Sequence, residues 1–184
     1  VDQRTAEQVA RAIEVVEAFD AGPDGLADKS RELVLWLLRG SEAPFSRDQF
    51  TPGHITCTAL VLHPAAPLVL FMHHHRLKRW LLPGGHVESS DESLAAAAAR
   101  EAVEETAVRL DGAAGRLVGI DVHGIPASAK RGEPYHLHHD LIWCFRALDD
   151  RIAVSDEAPE VMWAGAGDWD RLGIAESIRR SAGR

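Results

Sequence analysis

The spacing of apolar positions changes near residue 50. Before it, Val9, Ala12, Ile13, Val16 and Phe19 recur at the intervals of one helix face. Gly22-Pro23 and Asp24-Gly25 break that run. Leu33, Val34, Leu37 and Leu38 then repeat the helical spacing, with Asp28 or Ser30 as a start and Gly40 where a C-terminal cap would fall. Thr5 with Gln8, and Ser46 with Gln49, are spaced as capping boxes. Pro52-Gly53 marks a boundary. Residues 1–50 are therefore expected to form a helical extension, and residues 51–184 the main domain.

After the boundary, strands dominate. Residues 54–63 and 68–74 are apolar and β-branched, and the short connection through Pro64 and Pro67 predicts a hairpin. Short extended pieces flank Gly84-Gly85. Residues 116–125 and 135–148 form long strand candidates on either side of a polar loop, and residues 160–164 form another. Residues 168–172 and 175–181 suit short helices. Between the glycines and the long strands lies the alanine run Ala95 to Ala99, the composition of a strong helix former. One helix amid strands and another after them predict an α+β fold, a mixed sheet between helices.

Composition narrows the function. The 184-residue chain carries a net charge of −8 with histidine neutral. That balance excludes a broad nucleic-acid or anionic-membrane surface but suits a small phosphorylated substrate. No apolar run approaches the roughly 18 residues of a membrane span. No secretory pattern follows Val1, and Cys57 and Cys144 in strands read as buried thiols of a reducing cytoplasm rather than a bridge.

The chemistry concentrates on the alanine-rich helix. Glu101, Glu104 and Glu105 are three and four positions apart or adjacent, so they crowd one face, where like charges repel. A divalent cation removes that repulsion, and oxygen-only ligands suit Mg²⁺ or Mn²⁺ better than zinc.

With the glycines, these residues resemble the Nudix box, G-x5-E-x7-R-E-U-x-E-E-x-G-U, where U is a bulky aliphatic residue. Gly85, Glu92, Arg100, Glu101, Glu104, Glu105 and Val108 supply its positions. The stretch departs from the pattern in three ways. Six residues separate Gly85 from Glu92, Ala102 replaces the aliphatic residue, and Ala107 replaces the last glycine. An extra residue inside a helix would rotate all that precedes it by about 100°. The insertion is therefore assigned to loop 86–91, with Glu92 in register with Arg100 and Asp91 as the competing acidic position. Ser90 or Asp91 would cap the helix. Without glycine at 107, the helix is expected to run on toward Asp111-Gly112.

The resemblance implies a Nudix α/β/α sandwich with the N-terminal helices outside its minimal domain. It also implies metal-dependent cleavage of a diphosphate linkage in a nucleoside diphosphate derivative or nucleotide. By the same resemblance, Gly84 through its carbonyl, Glu101, Glu104 and Glu105 hold Mg²⁺ or Mn²⁺. Glu101 and Glu104 take part in catalysis, Glu101 as a ligand or base. Gly85, Glu92 and Arg100 support the box, with Glu92 and Arg100 as an ion pair. Family members recruit a further acid from a later loop, here Glu157 or Glu160, with Glu133 and Asp140 as competitors.

Outside the box, Arg76, Lys78 and Arg79 precede the glycines and are candidates for phosphate contact. His136 and His138 share a strand face with Asp140. His136 is a candidate substrate contact, and the His73–75 and His136–139 groups read as a polar face rather than a zinc site. Trp80, Trp143 and Trp163 read as core or rim before base stacking. The apolar face from Leu33 to Leu38 fits cover for the core or a homodimer. Two other functions compete: a non-catalytic nucleotide-sensing module, and an isomerase resembling isopentenyl diphosphate isomerase. The isomerase requires a cysteine beside the glycine-histidine region, where this chain has PGGHVE.

Overall fold

The computed structural model describes residues 3–112, 114–156 and 158–184. Two helices come first, α1 (Gln3–Glu17) and α2 (Gly25–Gly40). Asp24 starts α2, ahead of Asp28 and Ser30, because its carboxylate accepts from the Leu26 and Ala27 N–H groups. Gly40 remains inside the helix, and the Ser41 N–H closes it on Leu37. Thr5 lies inside α1 rather than ahead of it. Gln8 instead donates to the Asp91 carbonyl at 3.1 Å, and Ser46 to Gln49 is a turn.

Among the described residues, seven strands form one mixed sheet: β1 (Gly53–Leu62), β2 (Val69–His74), β3 (Arg79–Leu81), β4 (Gly84–His86), β5 (Arg116–Ile125), β6 (His136–Arg146) and β7 (Glu160–Ala164). The main path runs β3-β2-β1-β6-β5, with β4 on β1 and β7 on β2. Among the described residues, only β1 and β6 run parallel. The expected hairpin of β1 and β2 is paired only at Leu62 and Val69. Beyond that point β2 turns to β3 and β7, and the edge it leaves on β1 is taken by β4, through Thr56–His86, Cys57–Gly85 and Thr58–Gly84. This split brings the glycine pair into the middle of the molecule.

Alternation along β1 assigns each sheet face. Ile55, Cys57, Ala59 and Val61 join a core with Ala97, Ala98 and Ala102 of α3 (Leu94–Thr106). Ala12 and Val16 of α1, and Val34, Leu37 and Leu38 of α2, complete the same cluster. The N-terminal helices thus cover the core, leaving Leu33 and Trp36 exposed. On the other face, Leu60, Phe71, Val118 and Ile142 pack against Leu172 of α4 (Trp169–Leu172), Ile174, and Ile178 of α5 (Glu176–Ala182). The result is an α+β sandwich. Cys57 and Cys144 are free thiols. Among the described residues, no helix is long and apolar enough to cross a membrane.

The ends of α3 differ from the sequence expectation. Ser93, not Ser90 or Asp91, is the N-cap, accepting from the Ala96 N–H. The helix stops at Thr106, and Ala107 adopts the left-handed conformation, φ 52° and ψ 18°, with its N–H on Val103. The contacts that follow require this stop. Val108 is buried, Leu110 bridges to Ala147, and the Leu148 N–H bonds to the Arg109 carbonyl. They outweigh a left-handed alanine's cost of about 1–2 kcal/mol. Replacing Ala107 with glycine should therefore stabilise the fold by about 0.5–1 kcal/mol, after allowing for glycine's greater freedom when unfolded. A higher urea midpoint is the expected result; a lower one would contradict the strained cap.

Candidate active site

Arg100 organises the loop between β4 and α3. Its Nε and Nη2 donate to the two carboxylate oxygens of Asp91, at 3.0 and 3.1 Å. Nη2 also reaches the His86 carbonyl at 2.9 Å. Nη1 donates to Glu101 at 2.9 Å and Glu104 at 3.1 Å. Asp91 is buried and accepts as well from the Glu88 N–H at 2.8 Å. The hydrogen bonds to Asp91, with those to Glu101, raise the Arg100 pKa further above its ordinary value. The brace is therefore Arg100–Asp91, not Arg100–Glu92, which corrects the sequence reading. Glu92 is exposed. Asp91 stands at the five-residue gap from Gly85, so the extra residue falls between Asp91 and Leu94, outside the helix. The Asp91 carboxylate meets both the guanidinium fork and a loop N–H, whereas Glu92 next to it points to solvent.

The three glutamates differ in setting. Glu105 is buried and accepts from the Gly84 N–H at 2.9 Å. Glu101 is half-buried against Gly85, where an added Cβ would lie 2.6 Å from its carboxyl carbon. A Cβ on Gly84 would meet the Cys57 carbonyl at 2.8 Å on the opposite side. Both glycines are thus required by close approach. Glu104 is exposed and shares Arg100 with Glu101. Gly84 meets this patch through its N–H. Asp91, Glu101 and Glu104 share one guanidinium and Glu105 adds a further carboxylate at Gly84, so negative charge is in excess, and oxygen donors with no imidazole or thiolate among them suit a hard divalent cation. The space that Gly85 keeps open for the Glu101 carboxylate is consistent with that fit.

The opposite sheet face is polar at this end. In register lie Asp121, Asp140, Thr56 and His86, and beside them His123, His138 and His54. Asp140 is buried and accepts from Thr56 and Thr58 at 3.0 and 2.9 Å, while burial raises its pKa. His54, His86, His136 and His138 pack ring to ring, with centroids 4.9–5.5 Å apart. Burial, then neighbouring imidazoles, lowers His86 to about 4 and His138 to about 2, and burial also lowers His54. Burial thus favours the neutral form of all three rings. His54 and His86 were missed as partners of His136 and His138. The available signal was the period-two polar positions in otherwise apolar strands, with the histidine of PGGHVE one step beyond the glycines. His139 points to the other face, buried and lowered to about 4, mainly by burial.

The remaining candidates make other contacts. Arg76 and Lys78 are exposed on the β2–β3 turn and Arg79 at the start of β3; His74 stabilises the turn by accepting from the Arg76 and Leu77 N–H groups. Glu160 is exposed on β7, 3.8 Å from His73. Glu157 lies outside the described residues. Glu133 pairs with Arg131. Trp143 is core, Trp80 packs edge-on to His73, and Trp163 donates to the Asp150 carbonyl.

The chain matches the family model of the NUDIX domain over residues 52–173. Its fold is similar to the NUDIX domain of Shewanella oneidensis NrtR complexed with ADP ribose, at TM-score 0.55 and 18% identity over 81% of this chain and 94% of that one. A MutT NUDIX hydrolase from Burkholderia pseudomallei aligns at TM-score 0.53 and 19% identity, covering 70% and 95%. A C. elegans Ap4A hydrolase aligns at 0.50 and 16%, covering 70% and 91%. No curated protein matches the chain. A family match over more than half the chain, on a mixed sheet whose glycine strand faces the acidic helix, shows that the chain belongs to the Nudix family of pyrophosphohydrolases.

Proposed function

We propose that this Nudix pyrophosphohydrolase cleaves the diphosphate linkage of a nucleoside diphosphate derivative, with Mg²⁺ or Mn²⁺ held by Glu101, Glu104 and Glu105. The observation that carries the reading is the packing of Glu101 and Glu105 against Gly85 and Gly84, with Arg100 tying Glu101 and Glu104 to the loop. A bound cation would offset phosphate charge and make water a better nucleophile. Glu101, half-buried and bonded to Arg100, would accept the proton of the attacking water, and Glu104, exposed on the same turn, would hold the metal. The NrtR domain binds ADP ribose and the C. elegans enzyme is an Ap4A hydrolase, and both ligands are nucleotides with such linkages.

A purely sensing module needs no set of water-activating carboxylates. An isomerase would need a thiol at the site, but Cys57 is fully buried in the core facing α3, and burial holds its pKa well above the ordinary value. We further treat residues 1–50 as an extension supporting domain 51–184, with exposed Leu33 and Trp36 as the face on which a homodimer would form. The free thiols suit a cytoplasmic setting.

Assays with ADP-ribose, diadenosine polyphosphates, nucleotide sugars and nucleoside triphosphates should find a metal-dependent product. Glu101→Gln should lower kcat by about 10²–10⁴-fold, as expected for loss of a general base. Full activity in Glu104→Gln and Glu105→Gln would contradict the metal patch. Gly85→Ala should also lower kcat, because its methyl would displace the Glu101 carboxylate. Unchanged turnover in a folded Gly85→Ala variant would contradict that placement.

A further inference from the structure

We propose that His54, His86 and His138 form a binding site for one zinc-type divalent ion, separate from the glutamate patch of α3. Their candidate ligand atoms lie within 4.8 Å of one another. All three come from adjacent strands, β1, β4 and β6, which fixes their Cα positions through the ladder. Strand alternation sets the two sites apart. Gly85 faces Glu101, while His86, the next residue, projects to the opposite sheet face beside His54 and His138.

His54 supplies an independent sign of a ligand. It is 1% exposed, its Nδ1 lies 3.0 Å from the Gln49 carbonyl, and its Nε2 is buried with no hydrogen-bond partner. Donation from Nδ1 to that carbonyl fixes the tautomer and leaves the Nε2 lone pair aimed into the cluster, as in imidazoles that ligate metals. A buried polar atom without a partner is costly, and a metal bond would remove the cost. His136 flanks the rings, with its own Nδ1 2.8 Å from the Pro134 carbonyl. His123 is engaged with Asp121.

Neutral nitrogen donors select a borderline ion such as Zn²⁺ over Mg²⁺. Tetrahedral coordination at about 2.0–2.1 Å places nitrogens about 3.3 Å apart. His86 and His138, both half-buried, would close the triangle by rotating about their side-chain bonds, while His54 stays anchored. Three nitrogens leave a fourth position for water or another oxygen ligand. None of this depends on which substrate the glutamate site cleaves.

The test uses the full chain, stripped of metal by a chelator and titrated with Co²⁺ and then Zn²⁺. The expected result is a tetrahedral Co²⁺ visible spectrum that Zn²⁺ bleaches, and one zinc per chain by elemental analysis. His54→Ala and His138→Ala should weaken zinc binding by more than about 100-fold, beyond the roughly 10–100-fold cost of losing only a supporting hydrogen bond. Glu104→Gln/Glu105→Gln should bind zinc as the parent does. Circular dichroism checks each fold. His86→Ala, at a half-buried position, carries the same test if a buried-site variant does not fold. No stoichiometric zinc in the parent would overturn the proposal, as would zinc retained by the folded histidine variants or lost in the glutamate variant.

Discussion

Arg100 bonds Asp91, the His86 carbonyl, Glu101 and Glu104 at once, and the site depends on that single guanidinium. Its planar fork satisfies both oxygens of one carboxylate while its remaining N–H groups reach the strand and the helix, which a lysine point charge could not do. The side chain is only 18% exposed, so removing the Asp91 carboxylate would leave Nε without its acceptor in a largely desolvated setting, at a cost of about 1–3 kcal/mol, while Glu101 and Glu104 still balance the charge. Arg100 also opposes the repulsion among the glutamates. It pins two of them and leaves the patch acidic enough to attract a cation.

The second constraint is the three-residue strand β4. Because side chains alternate across a sheet, Gly85 opens one face to the Glu101 carboxylate while His86 is delivered to the other face, among imidazoles. Gly84 lies flush against β1 and donates to Glu105. Oxygen donors and nitrogen donors are thereby separated by the thickness of one sheet. The separation exists because β2 leaves β1 after a single paired position and β4 takes its edge.

Much of this was legible in the sequence, and the failures have physical causes. Strands β5 and β7 were bounded correctly, because a run of apolar alternation ended by polar loops determines a strand locally. The carboxylate patch and the glycines were legible because helical spacing and glycine itself specify them. The partner of Arg100 was not, since Asp91 and Glu92 are adjacent and only the path of the loop decides which one turns inward. The end of α3 was misread because the pull on Val108 and Leu110 comes from distant strands and overrides alanine's preference. The histidine cluster was half visible. The HxH spacing in β6 was plain, but His54 and His86 join it only through the parallel pairing of β1 with β6 and the insertion of β4.

Arg100 and Asp91 hold in place the glutamates proposed to bind the metal. The most direct measurement is Mn²⁺ affinity, read by electron paramagnetic resonance, in the parent, Asp91→Asn and Glu92→Gln. Asp91→Asn should weaken Mn²⁺ binding by about 10–100-fold, the usual cost of a lost supporting contact, while Glu92→Gln should bind as the parent does. Parent-like affinity in Asp91→Asn, or an equal loss in Glu92→Gln, would contradict it.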